Sequence, residues 1–219
     1  MTALVFDTET TGVTDPGLIE AAWLRIDDPV RLNVVERFEQ RYAPGRPIEL
    51  GAMAVHHIVD ADLEGCPPSS AFRLPADVRY LIGHNVDFDW QVIGRPDVRR
   101  IDTLCLARQV FPGLDAYGLG ALTYHLHDPR EARERLRAAH AAAADVALCL
   151  DLLRAIVARL GTVPSWEALW AHSETARVPT VMPFGKHRGV AMAEVPADYK
   201  RWLRGQPDVD PYLRQALER

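Results

Sequence analysis

The chain has 219 residues, 48% apolar and 25% charged, which is enough to close one core of ordinary size and a smaller one beside it. No apolar run reaches the roughly 18 residues that a membrane span needs, and Asp7 comes too early for a secretory leader, so a soluble, cytoplasmic protein with no membrane partner is expected. The formal net charge of −5 argues against a long basic track for nucleic acid, and three widely spaced cysteines (Cys66, Cys105, Cys149) suggest neither a disulfide framework nor a zinc site.

Residues 3–6 form a short apolar run that ends in the acidic turn Asp7-Thr8-Glu9-Thr10-Thr11-Gly12, which reads as a buried strand opening into a loop. Residues 19–26 and 34–42 are two further strand-like stretches, separated by Asp27-Asp28-Pro29, and three strands in a row suggest an antiparallel meander. From Gly51 the texture turns helical, with strands expected at 79–83 and 100–102. Helical spacing covers 103–110 and 119–126, and the Ala- and Leu-rich stretch 138–160 has high helix propensity. Gly161 to Pro164 ends it. After 166–172 the composition becomes richer in Pro and in basic residues, and a domain boundary is expected near 173–178.

Charge follows the same division. Residues 1–172 hold 17 basic against 24 acidic side chains, a balance of −7, whereas 173–219 hold 8 against 6, a balance of +2. The second stretch contains Lys186 and Lys200, the only lysines of the chain.

Asp7 and Glu9 are two apart, so on a strand their carboxylates leave the same face and can share a cation. Alone, such a pair beside a turn is as readily a solvated one. A second piece, His84-Asn85-Val86-Asp87-Phe88-Asp89, follows the fourth strand, with Asn85 or Asp87 placed to cap a helix. The third is His140 with Asp145 five residues on. In a regular helix that offset leaves the two side chains about 140° apart around the axis and about 7.5 Å along it, so one helical face cannot serve both. His140 is therefore expected at or before the first turn, reaching in from a loop, while Asp145 points in from the helix.

These three pieces resemble the DnaQ-like exonucleases of the DEDD group, in their histidine-bearing subclass. Val5-Phe6-Asp7-Thr8-Glu9-Thr10-Thr11-Gly12 resembles the first family motif, Gly83 through Asp89 the second, and His140 through Asp145 the third, in the same order and at similar intervals. Ile101-Asp102-Thr103-Leu104 and Ala54-Val55-His56 also look like the family. Met182 through Gly189, with Asp198-Tyr199 and Trp202-Leu203, resembles a small C-terminal segment attached to some members.

The resemblance implies a ribonuclease H-like α/β fold: a mixed five-stranded sheet, its first three strands antiparallel, flanked by helices. It would occupy residues 1–174, with a small basic α+β segment at 175–219. It implies that Asp7, Glu9, Asp89 and Asp145 converge as metal ligands. Four ionised carboxylates repel one another, by about 4 kcal/mol for a pair 4 Å apart at an effective dielectric of 20, so divalent cations are needed. Oxygen-only ligands favour two Mg²⁺ ions, with Mn²⁺ a substitute.

The expected reaction is hydrolysis of the last phosphodiester at a DNA 3′ end, releasing a nucleoside 5′-monophosphate, in the setting of DNA repair. His140 is the expected base, a role that suits a neutral imidazole. Thr10, Val13 and His56 are expected to border the terminal nucleotide. RNA as substrate, a polymerase-proofreading subunit and a non-catalytic nucleic-acid-binding module of the same fold remain alternatives. Lys186, His187, Arg188, Lys200, Arg201 and Arg204, interleaved with Tyr199 and Trp202, suggest either a guide for DNA or a structural hairpin and helix. Oligomeric state is not legible.

Overall fold

Five strands align in the order β3-β2-β1-β4-β5. They are β1 (Thr2–Thr10), β2 (Leu18–Ile26), β3 (Val34–Arg41), β4 (Val78–Gly83) and β5 (Arg99–Asp102). This computed structural model describes residues 2–218, so the outermost residue of each expected domain, 1 and 219, lies outside it. β1, β2 and β3 pair antiparallel, while β4 joins β1 in parallel and β5 joins β4 in parallel, which makes the sheet mixed. β1 is buried on both faces except at Thr2, Asp7 and Glu9, as expected for a central strand covered by helices.

The pleat of β1 sorts its side chains between two layers. Leu4 and Phe6 enter a core with Trp23, Phe72, Leu81 and Val86. Val86 opens α2 (Val86–Val92), which packs on β1, β4 and β5. On the alternate residues sits α6 (Ala142–Leu160), which packs on β1 and β2 and buries Val146, Leu150, Leu153 and Ile156. Between them in sequence run α3 (Thr103–Val110), α4 (Leu119–Leu126) and α5 (Pro129–Arg135); α1 (Leu50–His56) lies in the β3–β4 connection.

Local chemistry sets several of these boundaries. The Asp102 side chain accepts the N–H groups of Leu104 and Cys105 at the start of α3, and Asp128 caps α5, whose first residue is proline. That Asp-Pro signature starts a helix that apolar spacing does not announce. The long helix starts at Ala142 rather than at 138: residues 136–138 form a 3₁₀ turn, and His140 takes a left-handed backbone with φ of 66°.

The chain divides into two compact units, one up to Ser173 and one from Glu174, and the division falls within α7 (Trp166–Arg177). Helix therefore continues through most of the stretch 173–178, where the composition changes. The second unit holds α8 (Ala197–Arg204) and α9 (Pro211–Ala216), and among the described residues its strand content is one antiparallel bridge, Val181 to Ala191. Its core is Val178, Met182, Met192, Val195, Leu203, Leu213 and Leu217.

Candidate active site

Asp7 and Glu9 stand at the C-terminal end of β1 on the face that meets α6, and Asp145 lies in the first turns of that helix. One carboxylate oxygen from each of these three residues lies within 4.8 Å of the other two. Asp89 arrives from α2 on the opposite face. It is anchored by Thr8, which follows Leu4 and Phe6 on that face: the Thr8 hydroxyl donates to Asp89 Oδ1 at 2.6 Å and its backbone N–H to the same oxygen at 3.0 Å. Four acids thus gather over the end of one central strand, two from the strand itself and one from a helix on either face.

Their proximity is costly. Burial, followed by the charges of Asp89, Asp145, Glu9 and Glu20, pushes the Asp7 carboxyl well above the usual carboxylate range. Burial, with Asp145, Glu20 and Asp89, raises Glu9 to about 8. Asp89 rises to about 7 through burial, despite the opposing hydrogen bonds from Thr8. Asp145 is also raised by burial, against the backbone hydrogen bond from His140. Each of these groups would ionise more readily beside an added positive charge.

His140 is exposed, two residues ahead of α6. Its left-handed backbone points its N–H back at the helix, where it donates to Asp145 Oδ1 at 3.3 Å. The His140 backbone and the Asp145 carboxylate are thereby tied together, although the two side chains do not share a helical face.

Glu20 is absent from the sequence-based site. It is 1% exposed, pairs across the ladder with Glu9, and lies in one cross-strand row with Glu9 and Arg41. Arg41 Nε donates to Glu20 Oε1 at 2.9 Å, and the Ala142 N–H donates to Glu20 Oε2 at 3.0 Å. Ala141, at the N-cap of α6, offers no capping side chain, so this carboxylate from the sheet satisfies one of the orphan N–H groups at the start of the helix. The signal in the sequence was a lone acid inside the apolar run Leu18-Ile19-Glu20-Ala21-Ala22.

The loop after β1 is held from within. Thr10 Oγ1 donates to the Gly12 carbonyl, and the Thr11 hydroxyl accepts the Gly17 N–H. His56 is buried: its Nδ1 accepts the Ile58 N–H at 3.0 Å, which leaves the proton on Nε2, 3.2 Å from the Thr10 carbonyl. The side chains of Thr10 and His56, expected to border a nucleotide, are thus committed to the loop itself. Val13, 82% exposed, is free to meet a ligand. Asp87 is paired with Arg100 at 2.6 Å.

The donor set is all carboxylate oxygen, gathered tightly, with every member held against ionisation by burial and most also by neighbouring negative charge. That chemistry fits hard divalent cations. Sheet order, helix placement and this acid cluster together are those of a phosphodiester hydrolase on a ribonuclease H-like fold, with a pocket suited to divalent cations.

Comparison with known proteins narrows the class. Residues 4–153 match the family model described as "Exonuclease", and the chain belongs to that family: it is a DnaQ-like 3′→5′ exonuclease. Residues 175–209 match a second model, described as "Putative quorum-sensing-regulated virulence factor". The chain is 28% identical over 224 residues to Exodeoxyribonuclease 10 of Escherichia coli K12, covering 98% of this chain and 96% of that protein. It is 32% identical over 176 residues to a DNA polymerase III subunit epsilon-like protein of Rhodobacter capsulatus, with 73% of this chain aligned to only 25% of that one. This chain therefore spans about a quarter of that relative's length. Among solved structures, Exonuclease X in complex with 5′ overhanging duplex DNA superposes with a TM-score of 0.61 at 24% identity, covering 78% of this chain and 99% of that one. No helix among the described residues is long and apolar enough to cross a membrane.

Proposed function

We propose that this exonuclease acts on DNA 3′ ends, releasing nucleoside 5′-monophosphates, with Asp7, Glu9, Asp89 and Asp145 holding two Mg²⁺ ions for which Mn²⁺ can substitute. The observation that carries this reading is the convergence of the strand pair Asp7 and Glu9 with Asp145 from α6 and the Thr8-clamped Asp89 from α2. Divalent ions bound there supply positive charge for in-line displacement at phosphorus. His140, exposed and tethered to Asp145, takes the proton of the attacking water. The water oxygen bonds to phosphorus as the P–O3′ bond breaks, and the departing O3′ takes a proton from solvent, leaving a 3′-hydroxyl on the shortened strand and a 5′-phosphate on the released nucleotide. Val13 projects from the loop beside the strand end as an apolar surface for the terminal base.

DNA rather than RNA is supported by the end-to-end similarity to Exodeoxyribonuclease 10, which spans 98% of this chain and 96% of that protein. A role in repair belongs to the same proposal. The test uses end-labelled DNA and RNA oligonucleotides, with Mg²⁺ or EDTA, and with the 3′ end free or blocked. DNA shortening that needs the metal and a free 3′ end is the expected result. Cleavage that persists in EDTA or ignores the block overturns the mechanism, and preference for RNA overturns the substrate.

A further inference from the structure

The unit from Glu174 onward carries a surface that the chemistry above does not use. A hollow of about 270 Å³ is lined by Lys186, His187, Pro196, Asp198, Tyr199 and Trp202. Its walls are an aromatic series: the His187 and Tyr199 rings meet edge-on with centroids 4.6 Å apart, and Tyr199 lies 5.4 Å from Trp202. Gly185, at φ of 73°, makes this possible, because a Cβ there would come within 2.8 Å of the Tyr199 hydroxyl. Trp202 is left 56% exposed although Leu203, the next residue of α8, is buried in the core. A large indole kept in water at the mouth of a hollow is an open stacking surface.

The surroundings are basic. Lys186, Arg188, Lys200, Arg201 and Arg204 flank the hollow in sequence, and none of them forms an ion pair among the described residues. One acid, Asp198, stands on the rim, where its Oδ1 accepts the Tyr199 N–H at 2.8 Å. Exposed aromatics among unpaired cations are the combination that holds single-stranded nucleic acid, with bases stacked on rings and phosphates facing the ammonium and guanidinium groups.

We infer that this hollow is a second nucleic-acid contact, in which a base of single-stranded DNA stacks on Trp202 while Lys186 and neighbouring cations hold its phosphates. The inference rests on the exonuclease reading for the choice of ligand and adds to it a site away from the scissile bond. Short and local contacts of this kind are compatible with the acidic net charge of the whole chain.

The test is the affinity of the full-length protein for a fluorescein-labelled thymidine oligonucleotide in EDTA, read by anisotropy. Trp202→Ala is expected to weaken binding about tenfold and Trp202→Phe much less, because the benzyl ring keeps a stacking face. Ultraviolet cross-linking of an iodouracil-substituted oligonucleotide to the wild-type protein supplies a measurement that no variant's folding can obscure: the adduct is expected on the peptide bearing Tyr199 and Trp202. Unchanged affinity in a folded Trp202→Ala protein, or adducts found only in the first unit, overturns the inference. Hydrolysis of thymidine 5′-monophosphate p-nitrophenyl ester by the wild-type enzyme reads the acid cluster alone. Its failure would count against the exonuclease reading and leave the stacking result to stand separately.

Discussion

Among the described residues, eight of the 17 arginines in the unit up to Ser173 form ion pairs, among them Arg25 with Glu36 and Asp77, Arg41 with Glu20, Arg100 with Asp87, and Arg135 with Glu131 and Asp151. The acids of the candidate site are packed against one another, and burial and neighbouring negative charge push the carboxyls of Asp7 and Glu9 upward. In the unit from Glu174, Arg177 lies 3.7 Å from Glu174, but Lys186, Arg188, Lys200, Arg201 and Arg204 form no ion pair among the described residues, and Lys186 lines the hollow beside the exposed Trp202. Buried like charges store a repulsion that bound cations relieve, which suits chemistry. Exposed cations cost little to maintain and stand ready for phosphate, which suits capture. Changes in the first unit should therefore alter turnover, and changes in the second should alter affinity and its salt dependence.

The largest effect is expected from Asp7→Asn, which removes one charge from the centre of the cluster. Turnover should fall by roughly 10³-fold or more, and divalent-ion binding measured by calorimetry should weaken with it. Oligonucleotide affinity in EDTA should not fall. If turnover survives, the reacting centre has been misplaced. Next is His140→Ala, for which a loss of about 10²- to 10⁴-fold in kcat is expected while the calorimetric metal titration stays that of the wild type. A parallel loss of metal binding would make His140 a ligand.

Glu20 comes third. Removing it frees the Ala142 N–H and releases Arg41, which is partly exposed and remains hydrated, so the main consequence is a less fixed start to α6. Glu20→Ala should lower kcat roughly 10- to 100-fold, the usual range for a residue that orients ligands. Glu20→Gln keeps an oxygen to accept the Ala142 N–H and should recover much of that loss. Equal damage in both variants would mean that the charge of Glu20, not its hold on the helix, is what matters.

These residues also show what was legible in the sequence. β1, β2 and β4 stand out in the sequence as apolar stretches beside Gly or Asp; spacing pairs Asp7 with Glu9, while their meeting with Asp145 is implied by the family resemblance and not by spacing. β1 was read too short because its last residues are polar; pairing with β2 carries it to Thr10. The clamp of Thr8 on Asp89 joins residues 81 positions apart, and no local pattern announces it. Glu20 was hidden by its own surroundings, since an acid in an apolar run gains meaning only when a helix N-terminus is set against it. The inward roles of Thr10 and His56 were equally invisible, because spacing places a side chain near a loop without saying which atoms it already satisfies.

A smaller effect is expected from pH acting on the metal-free protein. The folded values for Glu9, about 8 against an ordinary 4.5, and Asp89, about 7 against 3.8, are both raised. The folded state therefore holds protons that the unfolded state gives up, and this contribution to stability is fully present below about pH 4 and is lost as pH rises toward about 8. The Tm of chelator-stripped protein should decline across that window. Added Mn²⁺ should raise Tm more at about pH 8 than at about pH 5, because at the lower pH it must displace protons to bind. A Tm that ignores pH in the stripped protein would mean the acids are not crowded as the geometry has them.

The smallest effect tests the other side of the contrast. Lys186 lines the hollow and forms no ion pair among the described residues, so replacing it disturbs no structural partner. If its ammonium faces a phosphate, binding releases one counterion there, and Lys186→Ala should reduce the slope of log affinity against log salt by about 0.7 while costing only a few-fold in affinity at moderate salt. Asp7→Asn, measured beside it in EDTA, should leave the slope where it was, since a carboxylate that holds a metal makes no phosphate contact without one. A slope unmoved by Lys186→Ala would mean that the unpaired cations of the second unit do not touch the strand. Its positive balance would then be a property of the surface alone, and the division between chemistry and capture would fall.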